Sequence, residues 1–396
     1  MKSLIMLAVA FGLAAAASAQ EGAAPTFDSL TRAARAAREA GDYPEYLRAV
    51  EGLQAMLPWS PAVRYSMARA YALNGRKAEA LKVLEALAAA GWGFDAAGDA
   101  VLAPLRTEPA FAAVGAALAR NAVPQGAATV VRKLPLAGQQ PEGIAATTDG
   151  TLFVGALKGG IIRIDADALT SVYRPEPGWG VVGLRVDRAR RELIACLSDE
   201  ASGKGGVVRL TLADFSEVAR VDLPAAGAFC NDTAILPDGR LAVTDSTGGR
   251  LWLVDRAGAA EVRTDKPLIY PNGVAFMGDT LYVAHAGGLR TVDPASGRST
   301  NVTADGTALI GIDGLIADDG VLYAVQNGAS PIRLLRIRPQ GGEPATVEVL
   351  ASGHPALTGA TTVARRGDRL LVLAQTGIPN GSLPDDPVLV AVPIGR

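Results

Sequence analysis

The chain has 396 residues, 49% hydrophobic, 20% charged and 5% aromatic, and its 38 Lys plus Arg against 40 Asp plus Glu leave a formal net charge of −2. That length suffices for two domains of ordinary size, and so even a charge excludes the basic face that nucleic acid requires. Two Cys exclude a disulfide scaffold or a Cys-built metal centre, and two His leave any metal to oxygen ligands.

Met1-Lys2 gives a positive start, Leu4 to Ala17 is apolar and uncharged, and Ala17-Ser18-Ala19 fits a small-x-small cleavage pattern. This predicts a signal peptide over residues 1–19 and a soluble mature chain that is periplasmic or secreted. The run is shorter than the roughly 20 apolar residues of a membrane span. Export would permit a Cys196–Cys230 disulfide, on which the sequence itself is silent.

Residues 26–122 are rich in Ala, Leu, Arg and Glu at helical spacing, which predicts a helical domain. Gly41 and Gly75 lie 34 residues apart, each at an expected turn between helices. Ala68, Tyr71, Gly75, Ala80 and Leu84, with Ala34, Ala37, Gly41 and Pro58 in an earlier copy, resemble tetratricopeptide repeats, and Leu87 departs from that pattern. Such repeats offer a concave face to a protein or peptide partner, or act as a spacer within the chain. The segment from Phe94 to Leu118 is expected to cap the stack or dock it on the next domain, and Asn121 to Ala128 reads as a linker.

From residue 128 to 396 the pattern changes to short Val/Ile/Leu strands, and one unit recurs about every 41 residues. Its copies read PEGIAATTDGTLFVG from Pro141, CNDTAILPDGRLAVTDS from Cys230, PNGVAFMGDTLYVAH from Pro271 and IDGLIADDGVLYAVQ from Ile312. Degenerate copies start at Val181 and Thr361. Asp-Gly pairs at 149–150, 238–239 and 319–320 mark hairpin turns. Six such units of four strands predict a six-bladed β-propeller preceded by the small helical domain. An open ring would leave an exposed edge. Ala128 to Leu136 is therefore expected to give the last blade its outer strand, beside Val388 to Pro393.

In a propeller the first strand of each blade lines the central channel, so equivalent residues of different blades converge. The lead positions hold Glu142, Asn231, Asn272 and Asp313, with Val182 and Thr361 in the degenerate copies. Two carboxylates and two amides in one register suit a hard divalent cation, Ca²⁺ or Mg²⁺. Taken singly, Asn or Asp before Gly serves equally well to shape a turn.

These motifs together resemble the gluconolactonase, regucalcin and luciferin-regenerating-enzyme family, and the arrangement is similar to that of paraoxonase and diisopropyl fluorophosphatase. The resemblance covers the propeller. It implies a divalent cation in the channel and hydrolysis of a lactone or related ester, including sugar-derived ones. By position, Glu142, Asn272 and Asp313 would be direct ligands, Asn231 a ligand or an orienting group, and Asp313 also the general base. Ala145 and Ala146 stand where the family often has an aromatic, and the helical domain is foreign to its usual pattern. Strictosidine synthase shares the fold without hydrolytic chemistry, so fold alone does not decide function.

His285 ends the second strand of the fourth blade and is a further candidate base. Asp245 and Gln326 hold the same place in neighbouring blades and are expected to tie loops, while His354 is expected on an exposed loop. Strand alternation would turn Asp232 away from Asn231. Gly-x-Ser-x-Gly is absent. The alternative to a hydrolase is a non-catalytic, metal-stabilised propeller whose helical repeats recruit a partner.

Overall fold

The computed structural model describes residues 25–166, 168–378 and 386–395, so the expected signal peptide lies outside the described residues. Helices α1 (Phe27–Ala40), α2 (Tyr43–Met56), α3 (Pro61–Leu73) and α4 (Lys77–Ala89) form two antiparallel hairpins, followed by α5 (Phe111–Asn121). Local sequence sets their ends. Thr26 and Ser29 form a reciprocal capping box at the start of α1. Asp42 caps α2 by accepting from Glu45 N, and Gly41 closes α1 with φ 73°.

The rest is strand. Two strands, β1 (Gln125–Gly126) and β2 (Thr129–Lys133), precede six repeated sheets. Blade 1 holds β3 (Pro141–Ala146), β4 (Leu152–Ala156), β5 (Ile161–Ile164) and β6 (Leu169–Tyr173). Blade 2 holds β7 (Gly180–Asp187), β8 (Glu192–Asp199), β9 (Lys204–Thr211) and β10 (Glu217–Asp222). Blade 3 holds β11 (Cys230–Ile235), β12 (Leu241–Asp245), β13 (Arg250–Val254) and β14 (Ala259–Val262). Blade 4 holds β15 (Val274–Met277), β16 (Thr280–His285), β17 (Gly288–Val292) and β18 (Ser299–Asn301). Blade 5 holds β19 (Leu315–Asp318), β20 (Val321–Gln326), β21 (Arg333–Gln340) and β22 (Glu343–Ser352). Blade 6 holds β23 (Val363–Arg366), β24 (Arg369–Ala374) and β25 (Val388–Pro393), and β2 completes it antiparallel to β25. The expected closure by the two ends of the repeat region is thus the one observed. The stretch read as a linker contributes β1, which pairs with β22 and gives blade 5 a fifth strand.

Each blade is buried on both faces because it packs on two neighbours. Phe153 of blade 1 packs with Leu193 and Leu197 of blade 2, and Leu389 and Leu373 of blade 6 pack with Val154 of blade 1. Equivalent apolar layers fill the other junctions, so the ring has a core at every blade contact. Cys196 of β8 and Cys230 of β11 are both fully buried and joined as a disulfide that ties blade 2 to blade 3.

The helices sit on one end of this ring. Ile269 and Ala286 pack into the core shared by α1, α2 and α3, while Ala308 and Ala329 join the core of α3, α4 and α5. Gly93 N donates to Ser330 O at 2.9 Å, and the Arg333 guanidinium lies 4.4 Å from the Trp92 ring. In an antiparallel blade the start of the first strand and the end of the second share one end of the ring. The loops beside β15, β16 and β20 are therefore at the end where the lead residues stand.

Candidate functional site

The four lead residues meet. Glu142, Asn231, Asn272 and Asp313 line one small cavity on the channel axis, together with Asp232, Arg185 and Thr361. Its free volume is about 10 Å³, room for a single ion or water. Hydrogen bonds onto backbone carbonyls between blades hold these positions. Gly273 N donates to Asp313 O at 2.8 Å, Gly314 N to Thr361 O at 3.0 Å, and Thr361 Oγ1 to Glu142 O at 3.0 Å.

The glycines after the lead residues are there for close approach. A Cβ on Gly143 would stand 2.1 Å from the Val182 carbonyl oxygen, and one on Gly273 would stand 2.4 Å from that of Asp313. Neither has a positive φ, so the Glu-Gly and Asn-Gly pairs here serve ring packing and not the turn geometry that Asn before Gly otherwise suggests.

Glu142 Oε2 is sealed from solvent and has no hydrogen-bond partner, a costly state for a buried acceptor. Burial raises its pKa well above the ordinary carboxylate range, and the charges of Asp313 and Asp232 add to this. Burial likewise pushes the Asp313 carboxyl up to about 7, against hydrogen bonds from Asn327 and Asn272. Asn327 donates through Nδ2 to Asp313 Oδ2. These are acids gathered without a neutralising partner. The donor set, two carboxylates and two amides, has the chemistry of a hard-cation site. Among the described residues no cluster of three or more His, Cys, Asp and Glu forms a metal-binding group, and two of the four lead residues in this cavity are amides.

Two residues outside the expected ligand set shape the site. Asp232 was expected to face away, but a bulge between Cys230 and Thr233 interrupts strand alternation, and Asp232 lines the same cavity as Asn231. Its Oδ1 accepts from Thr233 N at 2.8 Å. Its Oδ2 takes Arg185 Nη2 at 2.7 Å and Val274 N at 3.3 Å. Burial still raises its pKa, while Arg185 and those amides oppose the rise. Arg185 also donates to Leu315 O at 2.7 Å and Val274 O at 3.2 Å, spanning the channel from blade 2 to blades 4 and 5. It lines both the small cavity and a wider one of about 250 Å³ beyond it, and so separates them. The signal for Arg185 was available. Its register holds Ala145, Ala234, Ala275, Ile316 and Ala364 in the other blades, small or apolar residues that leave room for one long side chain.

His285 does not line the cavity. It is buried, its Nδ1 accepts from Gly287 N at 3.1 Å, and burial with the Arg290 charge pushes its pKa down to about 3. Its counterparts act alike. Asp245 Oδ1 accepts from Phe229 N and Gly248 N, and Gln326 Nε2 donates to Ala308 O and Ile310 O. His354 is half-buried and caps a short 3₁₀ turn through Nδ1 to Ala356 N.

A family model described as strictosidine synthase-like, N-terminal, matches residues 129–164, from β2 through β5. No curated protein matches the sequence. Among solved structures the chain is similar to virginiamycin B lyase from Staphylococcus aureus, at 18% identity over 62% of this chain and 82% of that one, with a TM-score of 0.47. It is also similar to the PQQ-bound aldose sugar dehydrogenase of Streptomyces coelicolor, at 19% identity over 68% and 98%, with a TM-score of 0.49. The strand order by itself makes the chain a six-bladed β-propeller with helices before it.

Proposed function

We propose that this chain is an exported hydrolase of lactones or related esters that depends on a hard divalent cation, Ca²⁺ or Mg²⁺. The observation that carries the reading is the meeting of Glu142, Asn231, Asn272 and Asp313, from four blades, around one ion-sized space, with Glu142 Oε2 buried and without a hydrogen-bond partner. Those four residues would hold the ion. Bound there, it would polarise a substrate carbonyl and stabilise the negative charge that develops on it.

The chain's own groups do the rest. Asp313 would take the proton of the attacking water through a carboxylate oxygen the ion leaves free: Asp232 is committed to Arg185 and two backbone amides, and Glu142 has no side-chain partner to hold one oxygen off the ion, as Asn327 does for Asp313. Asn327 steers the Asp313 carboxylate. Arg185 closes the channel beneath, so substrate and water reach the site from the helical end. We assign no step to His285, whose Nδ1 is already engaged. The helices belong to this end of the ring and are read as part of the enzyme and not as a detached recruitment module. Export accords with the Cys196–Cys230 disulfide, which an oxidising compartment maintains.

The test is metal analysis of the purified chain together with a panel of lactones and aryl esters. Hydrolysis should be abolished by chelator, restored by Ca²⁺ or Mg²⁺, and lost in Glu142→Gln. A chain that binds the ion and turns over no member of the panel would instead be a metal-stabilised binding propeller.

A further inference from the structure

A third cavity, of about 390 Å³, lies between blades 1 and 2 at the end of the ring opposite the helices. It shares no lining residue with the four-residue space on the axis. Three turns wall it: β3–β4 with Thr148 and Thr151, β7–β8 with Arg188 and Arg191, and β9–β10 with Phe215. Leu212 N donates to Arg191 O at 2.9 Å and sets the last two turns side by side. Blade 2 departs from its neighbours here. In the other five blades the turn between the first two strands carries a glycine of positive φ: Gly150, Gly239, Gly278, Gly320 and Gly367. Blade 2 has Arg191 instead, at φ 54°, and Phe215 stands at φ 60° on the adjoining turn. Both put a large side chain on a left-handed backbone that favours glycine. Packing accounts for Phe215, whose ring meets that of Phe153 at 5.7 Å. Arg191 is exposed, and among the described residues neither it nor the exposed Arg188 has a carboxylate partner, whereas Arg190 between them pairs with Asp187 at 3.1 Å. The carboxylates of the wall are engaged elsewhere. Asp149 accepts from Thr147 Oγ1 and Thr151 N, and Asp165 accepts from Arg163 Nε at 3.0 Å. Three guanidiniums against two carboxylates leave the described wall net positive.

We propose that this cavity binds a sugar acid, a pyranose that carries a carboxylate: Arg188 and Arg191 hold the carboxylate, Phe215 lies against the C–H face of the ring, and Thr148 and Thr151 meet its hydroxyls. Two guanidiniums on one short turn suit a planar anion, which each can grip through paired N–H groups. The volume is at the small end of the roughly 300–1,000 Å³ of small-molecule sites, the size for one sugar ring. An aromatic wall facing hydroxyl and carboxylate acceptors matches a ring that is apolar on its face and polar at its edge. The site stands apart from the axial one and does not depend on the hydrolase reading.

The test is calorimetric titration of the full chain with D-glucuronate, D-glucose and inorganic phosphate, each in Ca²⁺ and again in chelator. Glucuronate should bind saturably and equally in both, with glucose and phosphate at least about tenfold weaker. Arg191→Gly should weaken glucuronate about tenfold or more yet melt no lower than wild type, because glycine accepts the left-handed φ without strain. Arg188→Gln should weaken binding in the same way. Absence of saturation by glucuronate, or an undiminished affinity in Arg191→Gly, would overturn the inference. Binding that requires Ca²⁺ would place the carboxylate on an axial ion and overturn it too. Phosphate bound as tightly as glucuronate would mean a site that reads charge alone, and glucose bound as tightly would mean one that ignores it; either result rejects the sugar acid.

Discussion

Arg185 and Asp232 meet inside the channel at 2.7 Å, Nη2 to Oδ2, and both are largely buried. An ion pair in that setting contributes little by itself, but removing one partner strands the other as a buried charge. Arg185→Met should therefore cost about 3–5 kcal/mol of stability, measured by urea unfolding. The double variant Arg185→Met/Asp232→Asn should recover a clear part of that loss. Strict additivity of the two single changes would mean that the pair is not coupled.

The close approach at Gly143 makes a second prediction. A methyl group there meets the Val182 carbonyl oxygen, which belongs to the neighbouring blade and has nowhere to go. Gly143→Ala should destabilise by about 1–3 kcal/mol and should weaken divalent-cation binding, because Glu142 moves with the backbone it sits on. Unchanged affinity in calorimetric titration would show that Glu142 is not positioned by this contact.

The raised acids fix how stability should follow pH. Asp313 has a folded value of about 7, against an unfolded value of 3.8, and Glu142 is shifted the same way. Between those values the folded chain holds protons that the unfolded chain has released. The stability of chelator-treated protein is thus fully present below the unfolded value and falls as pH rises through about 7. The slope is at most roughly 1.4 kcal/mol per pH unit for each group. Saturating Ca²⁺ should flatten this slope. A melting temperature that rises between pH 5 and pH 8 without metal would contradict it.

The Cys196–Cys230 bond closes a loop with a sequence separation of 34 and ends immediately before Asn231. Replacing both by Ala should cost about 3–4 kcal/mol, on the chain-entropy account of cross-links. Its location adds a sharper expectation: ion affinity should fall along with stability, since the bond anchors the start of β11. Stability loss with affinity intact would confine the disulfide to a purely architectural role.

Much of this was readable from the repeat. The strand units, their period and the closure by Thr129–Lys133 against Val388–Pro393 follow from hydrophobic alternation and from the need to leave no open edge. The convergence of Glu142, Asn231, Asn272 and Asp313 follows from register once a ring is assumed. The bulge at Asn231–Asp232 was not readable, because strict period-2 reasoning has no term for an extra residue. Nor was the place of His285. Sequence puts it at the correct end of the ring, but whether a strand-end side chain points to the axis or ties its own hairpin depends on local hydrogen bonding. Arg185 was legible only by comparing one register across all six blades.

Thr129 pairs with Ala391, so the final blade is stitched from segments separated by 391 − 129 = 262 positions. Blade 6 must then be the last to assemble, since no earlier stretch of chain can supply β25. During synthesis the helices and five blades emerge with an arc still open, and β2 waits without its partner. Loss of β25 (Val388–Pro393) would accordingly undo the seam, expose the neighbouring edge and turn a closed wheel into a self-associating arc.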